Sequence, residues 1–387
     1  MRWERVRLGD VTDSCLGKML DRAKNKGEYQ PYLANVDVRW GSFNLDDLSE
    51  MRFEDDERER YGLKYGDLVI CEGGEPGRCA IWKDQIPNMK IQKALHRVRV
   101  HDCLDYRFLY YWFLLAGKTG ALEQYFTGTT IKHMPGEKLK SVLIDMPPIE
   151  VQRHIANILW VYDDLIENNQ KQIKLLEEAA QRLYKEWFVD LRFPGHETTP
   201  IVDGVPEGWH EGTIQDVVIY HDKKRKPLSG MQRAEMQGEY RYYGAASILD
   251  YVNDYLFDGT YLLLGEDGTV VTEDGFPVLQ YVTGKFWVNN HAHVLTGQPG
   301  YPTEYLYMMF KSTKVKDVVT GAAQPKISQA RLSNKKIIVP SKQLVSAYCD
   351  ITGPMFKDII NLEHQITVLK EARDRLLPKL MSGEIEV

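Results

Sequence analysis

Two stretches of the chain share one pattern of hydrophobic positions separated by polar ones. They run from about Pro147 to Phe188 and from about Pro340 to Leu380. The recurring positions of the first are Tyr162, Ile166, Asn169, Ile173, Leu176, Ala180, Leu183 and Trp187. Those of the second are Tyr348, Ile351, Met355, Ile359, Leu362, Ile366, Leu369, Leu376 and Leu380. Steps that largely alternate between three and four residues are typical of a heptad seam, so we predict two long helices buried against each other.

The two stretches are copies of a repeat that extends into the segment before each helix, called here a head. The matching seam pairs are Ile166 and Ile359, Ile173 and Ile366, Leu176 and Leu369, and Leu183 and Leu376, each 193 residues apart. Trp3 and Trp209 are 206 residues apart, and His96 and His293 are 197 apart. This spacing indicates a duplicated unit whose heads have drifted through insertions and deletions. The one polar position of the first seam, Asn169, is predicted to fix the register of the helix pair.

Each head has the pattern of a mixed α/β domain. The predicted strands span 67–71, 95–100 and 142–146 in the first head and 261–264, 286–295 and 336–339 in the second, with a helix at 107–116 and glycine-rich turns at 72–77 and 265–268. The predicted domains are 1–147 and 208–340 for the heads, 148–192 and 341–383 for the helices, and 193–207 for a linker. The predicted fold class is α+β, with two mixed α/β domains in a pseudo-twofold arrangement joined by two long antiparallel coiled-coil helices. Gly353-Pro354 predicts a kink in the second helix, or a short helix followed by the long one.

Composition limits the classes of protein to consider. The chain of 387 residues is 43% hydrophobic and 27% charged, as is usual for a globular protein. It has no apolar run of about 18 residues and no signal peptide, so we expect a cytoplasmic protein without a membrane span. The five cysteines form no Cys-x-x-Cys pair, which argues against a zinc ribbon or a disulfide framework. The net charge of −6 argues against a uniformly basic nucleic-acid binder, although local patches decide binding.

No motif in the sequence predicts catalysis. Asp145-Met-Pro-Pro148 differs from the Asp-Pro-Pro-Tyr signature of adenine methyltransferases, because a methionine intervenes and Ile149 replaces the aromatic residue. Glu72-Gly-Gly-Glu-Pro-Gly77 lacks the Gly-Lys-Ser/Thr of a phosphate-binding loop and is better explained as a hairpin turn. No nuclease-like carboxylate pair is evident. We therefore predict no catalytic residue.

His291-Ala-His293 is the sharpest local pattern. On a strand, alternate residues share a face, so both imidazoles are expected to point the same way. Such a pair suits a metal ion, but no third ligand is evident, so no metal is predicted. Together with Asn289 and Asn290, these side chains would alternatively read base edges or phosphates, or form internal hydrogen bonds.

Basic clusters occur once in each half of the chain, at similar places relative to Trp3 and Trp209. Lysine and arginine bind phosphate and release counterions, so we predict DNA contacts there. The predicted DNA-binding residues are Lys18, Arg22, Lys24, Lys26, Arg39, Lys90, Lys93, Lys132, His133, Lys223, Lys224, Arg225, Lys226, Tyr242, Tyr243, Asn289, Asn290, His291 and Lys326. A helix of roughly 30 residues spans about 45 Å, on the order of 13 base pairs. Two heads on antiparallel helices would then read two short sequences separated by an unread stretch.

Several blocks of residues resemble those of specificity subunits of type I restriction–modification systems. Pro147-Pro-Ile-Glu-Val-Gln-Arg-His-Ile-Ala156, with Leu159 and Asp163-Asp164, is similar to the central helical region of that family. The other similar blocks are Thr127 to His133, Arg375 to Gly383, Tyr32 to Asn35, Cys71 to Arg78, Tyr242 to Ala246 and Asn289 to His293, the last four within the heads. The resemblance covers essentially the whole chain. The second helix departs from it, because Ser341 to Tyr348 lacks the Pro-x-Glu-x-Gln-Arg pattern.

The resemblance implies a DNA-binding specificity subunit without catalysis of its own, in a bacterial or archaeal cell. Each head would be a target-recognition domain that reads one half of a bipartite target, and the helices would set the spacer. The chain would recruit two methyltransferase (M) subunits and, in the full complex, restriction (R) subunits. S-adenosylmethionine and ATP with magnesium would be held by these partners, with no cofactor on this chain.

Three other functions stay open at this point. The specificity subunit of a type IIB-like system would have the same kind of heads. Such a system cuts the DNA on both sides of its site. It would also suit a coiled-coil scaffold whose seam binds another protein. A lone nuclease or methyltransferase is disfavoured by the missing motifs.

Overall fold

The protein is described here by a computed structural model that covers residues 3–21, 23–321 and 323–387. It forms two compact units, and each combines one head with part of each long helix. Unit 1 comprises residues 1–167 and 367–387, and unit 2 comprises residues 168–366. Both units mix helices with mainly antiparallel sheets, which confirms the predicted α+β class.

Unit 1 has a four-stranded antiparallel sheet covered by a helix. Its strands are β1 (Glu4–Arg7), β2 (Thr12–Leu16), β3 (Glu28–Leu33), β4 (Val38–Arg39), β5 (Ser42–Phe43), β6 (Glu50–Phe53), β7 (Leu68–Cys71), β8 (Cys79–Ile81), β9 (Lys90–Ile91), β10 (Leu95–Val100) and β11 (Leu143–Met146). Its helices within the head are α1 (Glu57–Tyr61), α2 (Tyr106–Thr119) and α3 (Gly136–Lys140). The sheet has the order β2-β10-β7-β8, and a second sheet has the order β6-β3-β9. Strands β7 and β8 form the hairpin that was predicted around the glycine-rich turn.

Helix α2 is held by its ends and by its apolar face. The Asp105 side chain caps its first turn by accepting hydrogen bonds from the amides of Arg107 and Phe108. Gly120 ends the helix in a left-handed conformation with φ of 75°. Phe108 and other buried side chains of α2 join one hydrophobic core with strands β7, β8 and β10.

Unit 2 is built around a six-stranded sheet. Its strands are β12 (Ile201–Val202), β13 (Val205–Pro206), β14 (His210–Thr213), β15 (Val218–Tyr220), β16 (Gln237–Tyr243), β17 (Ile248–Val252), β18 (Phe257–Gly265), β19 (Leu279–Val288), β20 (Ala292–Gly297), β21 (Val319–Thr320), β22 (Lys326–Ile327) and β23 (Lys336–Val339). Its short helices are α5 (Gly230–Glu235), α6 (Thr303–Lys311) and α7 (Gln329–Ser333). The two long helices of the chain are α4 (Ile149–Tyr184) and α8 (Lys342–Met381). The sheet has the order β15-β20-β18-β19-β16-β17, and α6 packs on it. The predicted strand 286–295 is in fact two strands, because residues 289–291 form a turn.

The two long helices supply part of the hydrophobic core of each unit. In unit 1, Leu159 of α4 and Leu377 of α8 are fully buried in the same core as α2. In unit 2, Tyr184 of α4 and Tyr348 of α8 share the core of the head, and the Tyr348 hydroxyl donates to the Ala180 carbonyl at 2.9 Å. Each head is therefore packed onto the helices through an apolar surface.

The predicted seam is largely confirmed within each unit. Ile166 and Ile359 are buried, and Ile173, Leu176 and Leu183 pack against the core of unit 2, whereas Ile366, Leu369 and Leu376 are half-buried. Asn169 is buried, and its amide donates to the Gln365 side chain at 3.1 Å. Because Asn169 pairs with Gln365 and Ala180 with Tyr348, the helices run antiparallel in unit 2 as predicted.

Two expectations for α8 need correction. The helix is one continuous element through Gly353-Pro354, so a short helix followed by a long one is wrong. Ile351, predicted in the seam, is exposed, and Thr352 is fully buried in its place. The Thr352 hydroxyl donates to the Tyr348 carbonyl of the preceding turn, which satisfies a polar side chain inside an apolar interface.

The first turns of α4 and α8 differ because Gln152 of α4 has a structural role that the matching residue of α8 does not have. Gln152 is fully buried, and its side chain bonds the carbonyls of Cys103 and Pro147 and the amide of Asp105. The matching residue of α8, Val345, is also fully buried but packs in the apolar core. The polar motif of the first copy thus ties α4 to the loop before α2. Across the described ranges, no helix is long and apolar enough to span a membrane.

Unit 1 contains a testable polar link between its two helix segments. Asp163 accepts hydrogen bonds from Arg373 and from the Tyr111 hydroxyl, the latter at 2.7 Å. Burial lowers the pKa of Arg373, but the charge and hydrogen bond of Asp163, together with the nearby Tyr110 and Asp374, outweigh burial and raise it. We predict that Asp163→Ala lowers the stability of unit 1 by about 3 kcal/mol, because the half-buried Arg373 guanidinium loses one of its two carboxylate partners and keeps only Asp374.

Hydrogen exchange of unit 1 amides during urea titration measures this effect. The matched control is Glu150→Ala on the same helix, which removes an exposed pair with Arg153 and should leave protection unchanged. Equal effects of the two variants would contradict the structural role of Asp163.

Candidate nucleic-acid interface

In each head, an exposed hairpin lies against a glycine-rich turn at the ends of the central strands. In unit 1 the hairpin is residues 127–134, and in unit 2 it is residues 319–327; both are called here recognition hairpins. Thr127 and His133 exchange backbone hydrogen bonds in the first. Strands β21 and β22 pair in the second.

The unit 1 hairpin is attached through both backbone groups of its last residue, Met134. The Met134 amide donates to the Glu72 carbonyl at 2.7 Å, and the Met134 carbonyl lies 2.9 Å from Nε2 of His96. The glycine-rich turn is fixed in its place, because the Glu72 amide donates to the Ala94 carbonyl at 2.8 Å. Because a carbonyl oxygen can only accept, Nε2 of His96 is the donor of its bond to Met134. Burial lowers the pKa of the His96 ring.

The glycine-rich turn of unit 1 packs tightly against the hairpin, with Gly73 next to His133. A Cβ on Gly73 would lie 2.8 Å from Nδ1 of His133, so a larger residue would push the hairpin away. The Asn35 amide donates to the Gly73 carbonyl at 2.8 Å, and Arg78 donates to both oxygens of Asn35. The segment that begins at Asn35, and carries Arg39, is thereby fixed beside the turn.

The unit 2 hairpin is attached by the same set of backbone bonds. The Ile327 amide donates to the Glu266 carbonyl at 2.9 Å, and the Glu266 amide donates to the His291 carbonyl at 2.8 Å. Nε2 of His293 lies 2.8 Å from the Ile327 carbonyl. The glycine-rich turn and hairpin therefore meet in unit 2 as they do in unit 1.

An ion network joins the unit 2 hairpin to the basic segment 223–226. Nδ1 of His293 lies 2.6 Å from the Asp222 carboxylate, and Arg225 donates to Glu266 at 2.6 Å and to the Ala292 carbonyl at 2.7 Å. Burial raises the pKa of Asp222, but the hydrogen bonds from His293 and the Val294 amide, with the charges of His293 and Arg225, together outweigh burial, and the net pKa lies below its usual value. The network holds a basic loop, the 289–291 turn and the hairpin together.

The same cluster contains the residues most suited to a metal among those described. Ligand atoms of Asp222, Glu266 and His293 all lie within 4.8 Å of one another. Arg225 and Lys326 also pair with Glu266, the latter at 3.4 Å. The cationic side chains balance the carboxylates, which is the arrangement of an internal ion network.

The expectation that His291 and His293 point the same way is wrong. His291 lies in the turn before β20 and is exposed, whereas His293 lies on β20 and is 1% exposed. His291 pairs with Asp267 at 3.5 Å. Of the readings open from the sequence, internal hydrogen bonding describes His293.

Exposed members of the predicted DNA-binding set lie on the hairpins, or on segments that are bonded to the hairpins or to the adjacent glycine-rich turns. In unit 1 these are Arg39, Lys93, Lys132 and His133, and in unit 2 they are Lys223, Lys224, Lys226, Asn290, His291 and Lys326. Lys24 and Lys26 are exposed but lie on a separate loop, and Arg22 lies outside the described residues. The convergence brings together residues that are distant in sequence.

Other members of the predicted set are buried, which differs from the exposed positions expected of DNA contacts. Lys18 pairs with Glu57 and the Arg52 carbonyl, and Lys90 bonds Gln30 and the Asn88 carbonyl. The buried aromatic and amide members are Tyr242, Tyr243 and Asn289. Arg225 is mostly buried as well and serves the ion network. These side chains position loops, since their polar atoms are used within the fold.

Sequence reasoning missed the acidic and amide partners of these loops. Glu72 and Glu266 occupy matching places in the two glycine-rich turns, and Asp222 directly precedes the basic run. Asn35 and Arg78 end two of the blocks that resemble recognition domains. Their repeated or flanking positions were the available signal, but their partners become evident only in three dimensions.

Comparison with known proteins defines the class to which this fold belongs. Residues 1–178 and 206–367 match the type I restriction modification DNA specificity domain. Because these two matches cover most of the chain, the protein belongs to the family of type I restriction–modification specificity subunits.

Individual relatives agree with this assignment. The chain is 28% identical over 346 residues to the type I restriction enzyme MjaIX specificity subunit of Methanocaldococcus jannaschii, a match covering 83% of this chain and 78% of that protein. It is 32% identical over 127 residues to a putative type I restriction enzyme specificity subunit of Haemophilus influenzae, covering 33% and 32% of the two chains. The crystal structure of the type I S subunit from M. genitalium shares the fold, with a TM-score of 0.55 and 19% identity over 98% of this chain and 96% of that one.

The ion network predicts different roles for neighbouring basic residues. Arg225→Ala removes the nearest cationic partner of the mostly buried Glu266 and should lower the stability of unit 2 by about 3 kcal/mol. Lys224→Ala, at an exposed position beside it, should leave stability unchanged. Hydrogen exchange at the amides of Glu266 and Val294 measures the difference. Similar losses of protection in both variants would contradict the structural assignment of Arg225.

Proposed function

We propose that this specificity subunit reads a bipartite DNA target, with one half-site read by each head. The proposal rests on one observation: both heads present exposed basic and polar side chains on the same framework of recognition hairpin and glycine-rich turn. Phosphate contacts from lysine and arginine supply affinity, and side chains that reach base edges supply sequence discrimination. Two such surfaces on one chain suit a target with two recognised parts.

The long helices are proposed to set the spacer between the half-sites. Both heads share their hydrophobic core with these helices, so neither head is free to move along them without exposing apolar surface. The buried Asn169–Gln365 pair and the Tyr348–Ala180 hydrogen bond disfavour sliding of one helix past the other in unit 2.

We further propose that catalysis resides on partner subunits in the cytoplasm of a bacterial or archaeal cell. Two methyltransferase subunits would carry S-adenosylmethionine, and restriction subunits would use ATP with magnesium. Ile158, Val161 and Leu165 form an exposed apolar stripe on one face of α4 within unit 1. Exposed apolar side chains at helical spacing support docking of another protein there.

The DNA-binding part of the proposal is tested by removing charge from the basic segment of unit 2. Combined Lys223→Gln, Lys224→Gln and Lys226→Gln should weaken binding of the subunit–methyltransferase complex to duplex DNA. The slope of log affinity against log salt should fall by about 0.9 for each phosphate contact that is lost. Fluorescence anisotropy at several salt concentrations measures both quantities.

The control removes the same charge elsewhere in unit 2. Lys314, Lys336 and Lys357 are exposed and lie outside the converging loops, so their replacement by glutamine should change the slope much less. If both triple variants behaved alike, the charge effect would be general, and the proposed interface would be contradicted.

A further inference from the structure

Both heads contain a buried histidine that bonds the end of the recognition hairpin, although the sequences of the heads have diverged. His96 on β10 and His293 on β20 are each 1% exposed, among the apolar side chains of central strands. A buried polar group is costly unless it is hydrogen-bonded. In both heads, Nε2 meets the carbonyl of the last residue of the recognition hairpin, Met134 or Ile327.

Those hairpins have few other side-chain anchors. Residues 127–133 are all exposed, and Met134 is the first buried residue after them. In unit 2, Gly321 and residues 323 and 324 are exposed, and Ile327 is buried. The buried end therefore determines where the exposed part of each hairpin lies, and the histidine is the side chain that bonds this end.

In unit 2 the histidine has a second partner. Nδ1 of His293 bonds Asp222, the residue directly before the basic segment 223–226. The same ring thus holds the hairpin on one side and the basic segment on the other. In unit 1, His96 bonds the end of the hairpin through Nε2.

We propose that His96 and His293 are positioning residues for sequence recognition, each acting on the half-site read by its own head. The proposal rests on the proposed DNA-reading function. The Nε2–H bond fixes the hairpin carbonyl, and through it the exposed side chains that discriminate bases. Neither histidine needs to touch DNA, and neither is proposed to change charge on binding.

The bond can be tested with two amide substitutions that separate the ring nitrogens. The side-chain nitrogen of glutamine takes the place of Nε2, whereas that of asparagine takes the place of Nδ1. His293→Gln therefore keeps a donor for the Ile327 carbonyl, and His293→Asn does not. The same pair at position 96 separates a kept hairpin bond from a lost one. Exposed His101 and His210, replaced by alanine, serve as controls.

The experiment begins with the full complex of the subunit and its methyltransferase partners. Methylome sequencing of cells that express the wild-type complex gives the target, and a split methylated motif is required by the proposed function. Binding of each purified variant complex is then measured to three duplexes: the intact target, and targets with the first or the second half scrambled. The readout is the ratio of affinities for the intact and each scrambled duplex, which reports discrimination at one half-site.

We expect His293→Asn to lower one of these ratios by about tenfold or more and His96→Asn to lower the other, in line with the loss of well-placed base contacts. His96→Gln should stay close to wild type in both ratios. His293→Gln keeps the hairpin bond but loses the bond to Asp222, so its ratio should fall between those of wild type and His293→Asn. The inference is overturned if the asparagine variants lower both ratios alike, if they change neither, or if glutamine is no better than asparagine. A wild-type complex without a split motif would instead overturn the proposed function.

Discussion

Burial of helix side chains inside each head is the interaction on which the rest of the structure depends. Tyr348 of α8 and Ala180 of α4 belong to the core of unit 2, and Leu377 and Leu159 belong to that of unit 1. A head that separated from the helices would expose these apolar surfaces to water, which opposes any such separation. The helices are therefore part of each domain's core, and this explains why compact units divide the chain in the middle of both helices.

This arrangement also accounts for the way the repeat has diverged. A change of helix length would move the residues that fill both cores, whereas a loop at the far side of a sheet changes without affecting packing. The spacing between helix copies is accordingly constant, and the head spacing varies. Within the drifting heads, the bonds among glycine-rich turn, strand histidine and recognition hairpin are retained, although the exposed side chains of the two hairpins differ.

Periodicity predicted the elements whose burial follows a simple pattern. The seam around Ile166 and Ile359, the strand 336–339 and the hairpin at 72–77 were all evident from the sequence, and the family follows from blocks along the whole chain. Tertiary partners were not evident. Lys18 and Lys90 were predicted to be exposed charges but are buried and bonded to acceptors within the fold. Ile351 was predicted to lie in the seam, but it is exposed and Thr352 is buried there. His291 and His293 were predicted to share one face of a strand, because the sequence around them gives no sign of the turn at residues 289–291.

The central claim is that paired helices, on which each head is packed, set the distance between two recognised half-sites. The most direct measurement is the methylome of cells expressing a variant that lacks one heptad in each helix, residues 164–170 of α4 and residues 366–372 of α8. Seven residues shorten a helix by about 10 Å, which is about three base pairs of duplex. The account predicts the same two half-site sequences with a gap shorter by that amount. Methylation of the same half-sites with an unchanged gap would contradict it.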